Sequence, residues 1–147
     1  MATQWPLVVA RLLTLLPTLP GWSAVTVLDG PLISVDVPTD YITVGYVTSE
    51  VAGNYASVQE PDGFRYGETG DVQSQLNCTT GDSDLPGVRA RAFALADAFD
   101  AAVRADRRLG VLSAEGTSEL SVQVESLENA AGTATVLILT LHYFTVT

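Results

Sequence analysis

Apolar residues fall at helical spacing near the start of the chain. Between Gln4 and Leu16, the positions Trp5, Val8, Val9, Leu12, Leu15 and Leu16 share one broad face of a wheel drawn at about 100° per residue. Leu7 and Leu13 fall outside that face, so this helix is apolar on more than one side. It is expected to be deeply buried or to touch a second body. Pro17 and Pro20 end it, because proline lacks the amide donor and clashes with the preceding turn.

Helical spacing then gives way to alternation. In "AVTVLDGPLISVDV", Val25 and Val27 alternate with polar neighbours, and Asp29-Gly30-Pro31 signals a turn between two short apolar runs. In "DYITVGYV", Ile42, Val44 and Tyr46 form one face of a further strand, with Gly45 permitting a bulge or a close backbone approach. Residues 49–70 hold no sustained period and carry four glycines and a proline, which predicts a long flexible loop. Its Tyr55, Phe64, Arg65 and Tyr66 are candidates for ordering against a partner, the alternative being that the aromatics fold back over the sheet. "DVQSQLNCT" reads as a strand, with Val72, Leu76 and Cys78 on one side and Gln73, Gln75 and Asn77 on the other.

A second helix starts at "GDSDLPG", with Ser83 or Asp84 as N-cap and Pro86 in the first turn, and runs to Leu109-Gly110. Two strands close the chain as a hairpin through 129–132. Leu120, Val122 and Val124 alternate with polar residues, whereas "TATVLILTLHYFTVT" is apolar on both faces and belongs inside a sheet covered on both sides. The order α-β-β-β-β-α-β-β describes one α+β domain over residues 1–147, two helices packed on a mostly antiparallel sheet.

The second helix holds five of the chain's seven arginines. Val88, Ala92, Leu95, Phe99 and Val103 make its core face. Ala90, Ala94, Ala98, Ala101 and Ala105 form a small-residue face that lets another backbone approach, although alanine also needs no reason beyond helix propensity. Arg89, Asp97, Asp100, Arg104 and Arg107 make a mixed-charge face, with Asp100 and Arg104 in the favourable i,i+4 order. Phe93 lies among these charges about 120° from the core centre, where an aromatic suits a subunit contact. Arg107 and Arg108 near the end of the helix complement its dipole.

Charge narrows the reading. The chain has no lysine, seven arginines against seventeen acids, and a net charge of -10, which disfavours phosphate backbones. With acids interleaved among its arginines, the second helix is not a nucleic-acid reader. The single Cys78 excludes an internal disulfide and a multi-cysteine metal site. The N-terminal apolar stretch lacks a basic leader, is interrupted by Arg11 and is too short and proline-punctuated to span a bilayer, so it reads as a core helix.

Catalytic chemistry has little to build on. Any histidine-based triad must use His142, which sits mid-strand in the most apolar segment, and there is no Gly-x-Ser-x-Gly elbow. A hydrogen-bonded sheet histidine is the expectation. Asp82 and Asp84 lack the further ligands of a calcium hand, and no phosphate-binding glycine loop is present. No catalytic residue, metal or cofactor is assigned.

The ordering of features does carry a resemblance. A short apolar helix leads to "VLDGP" and "DYITVGYV", then a variable loop and a polar alternating strand. The helix "RARAFALADAFDAAVRADRRLG" follows, and a hairpin closing on "GTATVLILTLHYFTV" ends the chain. This arrangement resembles the tail terminator proteins of long-tailed bacteriophages, especially those of actinobacterial hosts. The resemblance implies a non-enzymatic structural virion protein that assembles in the host cytoplasm as a hexameric ring. That ring ends tail elongation on the major tail tube protein and presents a surface to the head-completion (neck) protein. DNA would pass through its lumen unread, and no membrane is involved. Phe93, Arg89, Asp97, Asp100, Arg104, Ala94, Ala98 and Ala101 are then the subunit-interface candidates, and Tyr55, Phe64, Arg65 and Tyr66 the tube-contact candidates. The rival roles are another head–tail joining or tail-tube subunit, and a small ligand-binding or hydrolytic domain using His142.

Overall fold

The computed structural model describes residues 3–33, 36–48, 55–62, 65–129 and 132–147. Its elements run α1 (Trp5–Leu15), β1 (Thr26–Asp29), β2 (Asp40–Val44), β3 (Tyr55–Asp62), β4 (Arg65–Thr80), α2 (Leu85–Ala105), β5 (Thr117–Asn129) and β6 (Gly132–Val146). This is the α+β order read from the pattern. The sheet runs β1-β2-β4-β6-β5. Among the described residues only β1 and β2 pair in parallel.

The long β4 and β6 are its spine, in register from Gly67↔Val146 to Thr80↔Thr133. The other edge of β4 is shared, with β3 beside residues 65–71 and β2 beside residues 75–78. Two expectations are corrected here. Residues 55–62 and 65–70, expected as loop, are strand, so the polar strand begins at Arg65. Conversely, no described residue of 31–39 is strand, and Ile33 and Val37 stand 92% and 63% exposed.

Both helices pack on one face of the sheet. Val8, Val9, Leu12 and Leu16 join Val88, Leu95, Phe99 and Val103 over Ile42, Val44, Val72, Leu76, Leu137, Leu139 and Leu141 in one buried cluster. Trp22 sits inside it, donating Nε1–H to the Leu95 carbonyl at 3.0 Å and meeting Phe99 edge-on with ring centroids 6.4 Å apart. That pairing satisfies its polar group while burying the ring. β6 lies inside the sheet between β4 and β5, and Val136 and Ile138 on its face away from the helices are buried as well, as its two apolar faces predict. Pro31, Leu32 and Thr48 lean over β2 and β4 there.

Polar contacts fix how the helices sit. Asp84 is the N-cap of α2, accepting the Gly87 N–H at 3.1 Å. The helix ends at Ala105, earlier than expected, so Arg107 and Arg108 lie in the following turn and Arg104 is the basic residue of the last helical turn. In that turn Leu109 is buried at a φ of 56°, in the left-handed region unfavourable to a branched side chain. Arg11 of α1 donates to its carbonyl at 2.8 Å. The charge that interrupts the first apolar run thus holds the exit of α2.

Candidate assembly surfaces and the Asp71–His142–Ser121 array

Helix α2 crosses the sheet obliquely, and two arginines mark its path. Arg91 reaches Asp40 at the start of β2 through two bonds of 2.8 and 2.9 Å, and the Thr79 carbonyl at 2.8 Å. Arg107, just past the helix end, exchanges contacts with Ser118 of β5. The first half of α2 therefore lies toward β2 and its end toward β5. Arg91 was not singled out from the sequence, where it is one charge among many. The only available signal was Asp40, an acid opening an otherwise apolar strand. Beneath this pair the buried Cys78 thiol is pushed up to about 12, by burial first and then by Asp40.

The predicted interface set is spread around α2. Arg89, Ala94, Asp97, Ala101 and Arg104 are exposed, and Asp100 is partly so. The expected Asp100–Arg104 ion pair is present at 2.9 Å, an exposed contact contributing about 0.5 kcal/mol. Ala98 and Phe93 are half-buried against the core, so Phe93 leaves only part of its ring in solvent. Arg89 has no side-chain hydrogen bond or ion pair among the described residues.

The predicted tube-contact set divides. Tyr55 opens β3 opposite Asp71, whereas Arg65 and Tyr66 begin β4. Tyr66 is 38% exposed, its backbone tied to Thr147 by two bonds of 2.8 Å. Arg65 pairs with Glu115 and holds that carboxyl below its ordinary range. Phe64 lies outside the described residues.

The outer edge of β5 takes no strand among the described residues, and every residue from Ser121 to Glu125 is exposed. Val122 and Val124 are on the helix side of the sheet, opposite Leu139 and Leu137, yet stand 42% and 46% exposed. At the other end of the sheet are the exposed Ile33 and Val37.

His142 faces the side away from the helices. Its Nδ1 lies 2.5 Å from an Asp71 carboxylate oxygen and its Nε2 lies 3.2 Å from Ser121 Oγ. Asp71 and His142 are direct cross-strand partners, so the sheet register itself aligns the array. In the neutral ring Nδ1–H donates to Asp71 and Nε2 accepts from Ser121. This is the connectivity of a nucleophile, a base and an orienting acid. The setting differs from a hydrolytic site. Ser121 stands on a regular exposed strand outside the adjoining cleft of about 360 Å³, whose walls include Asp71, Glu119 and His142. Arg107 and Ser118 also line this cleft, and each donates to the other's backbone carbonyl. The array links β4, β6 and β5 as a hydrogen-bonded sheet histidine does.

A second buried cluster was invisible in sequence. Glu68, fully buried, accepts the Gln4 N–H at 3.0 and 3.2 Å and the Tyr143 hydroxyl at 2.7 Å. A carboxylate thus meets the positive end of α1, where orphan amides and the helix dipole favour it. Burial and Glu68 together push the Tyr143 phenol well above its ordinary value. Among the described residues no group of acids, histidine and cysteine could hold a metal ion, and no helix is long and apolar enough to cross a membrane.

No protein-family model and no curated protein matches the chain. Among solved structures it is similar to a chain from the virion of a native gene transfer agent particle, at 15% identity and a TM-score of 0.44, covering 92% of this chain and 91% of that one. A likeness of that degree carries no functional weight.

Proposed function

We propose that this chain is a structural virion subunit that assembles head to tail into a closed ring, the tail terminator of a phage-like particle. One observation carries the reading. Two apolar surfaces of different make-up, Val122 and Val124 on β5 and Ile33 with Val37 between β1 and β2, stand exposed at opposite ends of one sheet. A contact between two unlike surfaces is heterologous, and such contacts close into rings or continue as filaments. The order of elements read from the sequence supports the terminator role among ring-forming tail proteins.

In this role the subunit is not an enzyme. A hexamer would sit at the tail–neck junction, with the major tail tube protein on one face and the head-completion protein on the other. Its net charge of -10 per subunit suits a lumen through which DNA moves without being held. Arg65 and Tyr66, at the tip end of the β3–β4 hairpin, are the exposed groups offered to the tube.

Negative-stain imaging of the purified chain tests the role. Closed six-fold rings of one layer support a terminator. Long stacked tubes would make it a tube subunit, and isolated monomers at all concentrations would remove the ring.

A further inference from the structure

The surfaces just described differ enough to say which meets which. Arg91 turns one flank of α2 toward β2, so the opposite flank, bearing Arg89 and Phe93, faces β5. Residues of β5 near Val122 and Val124 are exposed on that same side. Val122 and Val124 therefore form an exposed apolar shelf on the helix side of the edge strand, and Phe93, half-buried, lies on the flank of α2 turned toward it. Arg89 stands on that same flank without a partner among the described residues.

We infer that this shelf receives the Ile33 and Val37 side chains of a second copy of the chain. Three observations favour that occupant. Ile33 and Val37, at 92% and 63%, are the most exposed large apolar side chains among the described residues. They stand in the β1–β2 connection, at the far end of the sheet from the shelf, so a copy seated there presents its own empty shelf to the next. The connection follows the exposed, acidic Asp29, and the flank of α2 turned toward the shelf carries the exposed, cationic Arg89. Burying the four aliphatic side chains removes apolar surface that both free faces now expose to water. The inference rests on the ring reading and names its contact.

Cysteine pairing tests the contact separately from the ring. Ile33→Cys and Val124→Cys are made singly, at exposed positions where the fold tolerates change, and the native Cys78 is buried and stays silent. Under mild oxidation, mixing the two variants is expected to give disulfide-linked dimers, while neither alone does. The double variant is expected to give a ladder ending at the ring. Dimers from Ile33→Cys alone would overturn the inference in favour of a two-fold contact. Intact rings without cross-links in the mixture would overturn it while leaving the ring reading in place. Absence of both rings and cross-links would overturn the two together. As a second measure, Ile33→Asp and Val124→Asp should each lower the assembled fraction at least tenfold with unchanged circular dichroism. Unchanged assembly in both would also overturn the inference.

Discussion

The ring of Tyr143 lies directly over Gly70, its cross-strand neighbour, so closely that a single added Cβ would overlap it. Glycine at this position is what lets the phenol reach the buried Glu68 carboxylate and, through it, the start of α1. Gly70→Ala must displace the ring or the strand. Overpacking of this kind costs about 1–3 kcal/mol, read as a lower urea midpoint at unchanged slope.

Glu68 itself separates hydrogen bonding from charge. Glu68→Ala removes the acceptor of the half-buried Gln4 amide and of the buried Tyr143 hydroxyl, at a cost of about 1–3 kcal/mol, most of it at Tyr143. Glu68→Gln retains an acceptor and should lose clearly less. Urea unfolding of the two variants checks the order, and equal losses would mean that the carboxylate's charge dominates.

The buried thiol sets an alkaline limit. Cys78 has an ordinary value near 9 and a native value of about 12. Between these the unfolded chain has released a proton that the folded chain keeps, so stability falls as pH rises through that window and is unaffected below it. Tyr143 is raised too and acts in the same direction. Thermal melts from neutral pH upward should show this slope, and Cys78→Ser should shallow it. A thiol reagent at pH about 8 should label native protein far more slowly than unfolded protein.

His142→Ala tests the rival hydrolytic role. It removes bonds to Asp71 and Ser121 on a half-exposed face, which should cost about 1–2 kcal/mol. Turnover of an activated ester should equal the buffer background in both proteins. Turnover in the native chain that vanishes in this variant would make the array catalytic.

What the sequence disclosed follows from which residues obey their period. The apolar stripes of α1, α2 and β6 were legible because burial selects them at every repeat. The first half of β4 was not, because its inward positions are Glu68 and Gly70, a paired carboxylate and a glycine under an aromatic ring, which together look like loop composition. The run at 31–37 failed in the opposite sense, being apolar without pairing as strand in its described part. Phe93 stood out on the wheel as misplaced, whereas Val122 and Val124 read only as a half-exposed strand. Which part of β5 α2 leaves bare depends on the oblique crossing set by Arg91 and Arg107, and no local pattern encodes it.

The most direct test of the ring is the solution mass of the native chain by light scattering, compared with Phe93→Asp. The account predicts a native mass of six 15.5 kDa subunits that collapses toward one in the variant. A native chain that stays at one subunit as concentration rises, or a variant that assembles as well as the native chain, would contradict it.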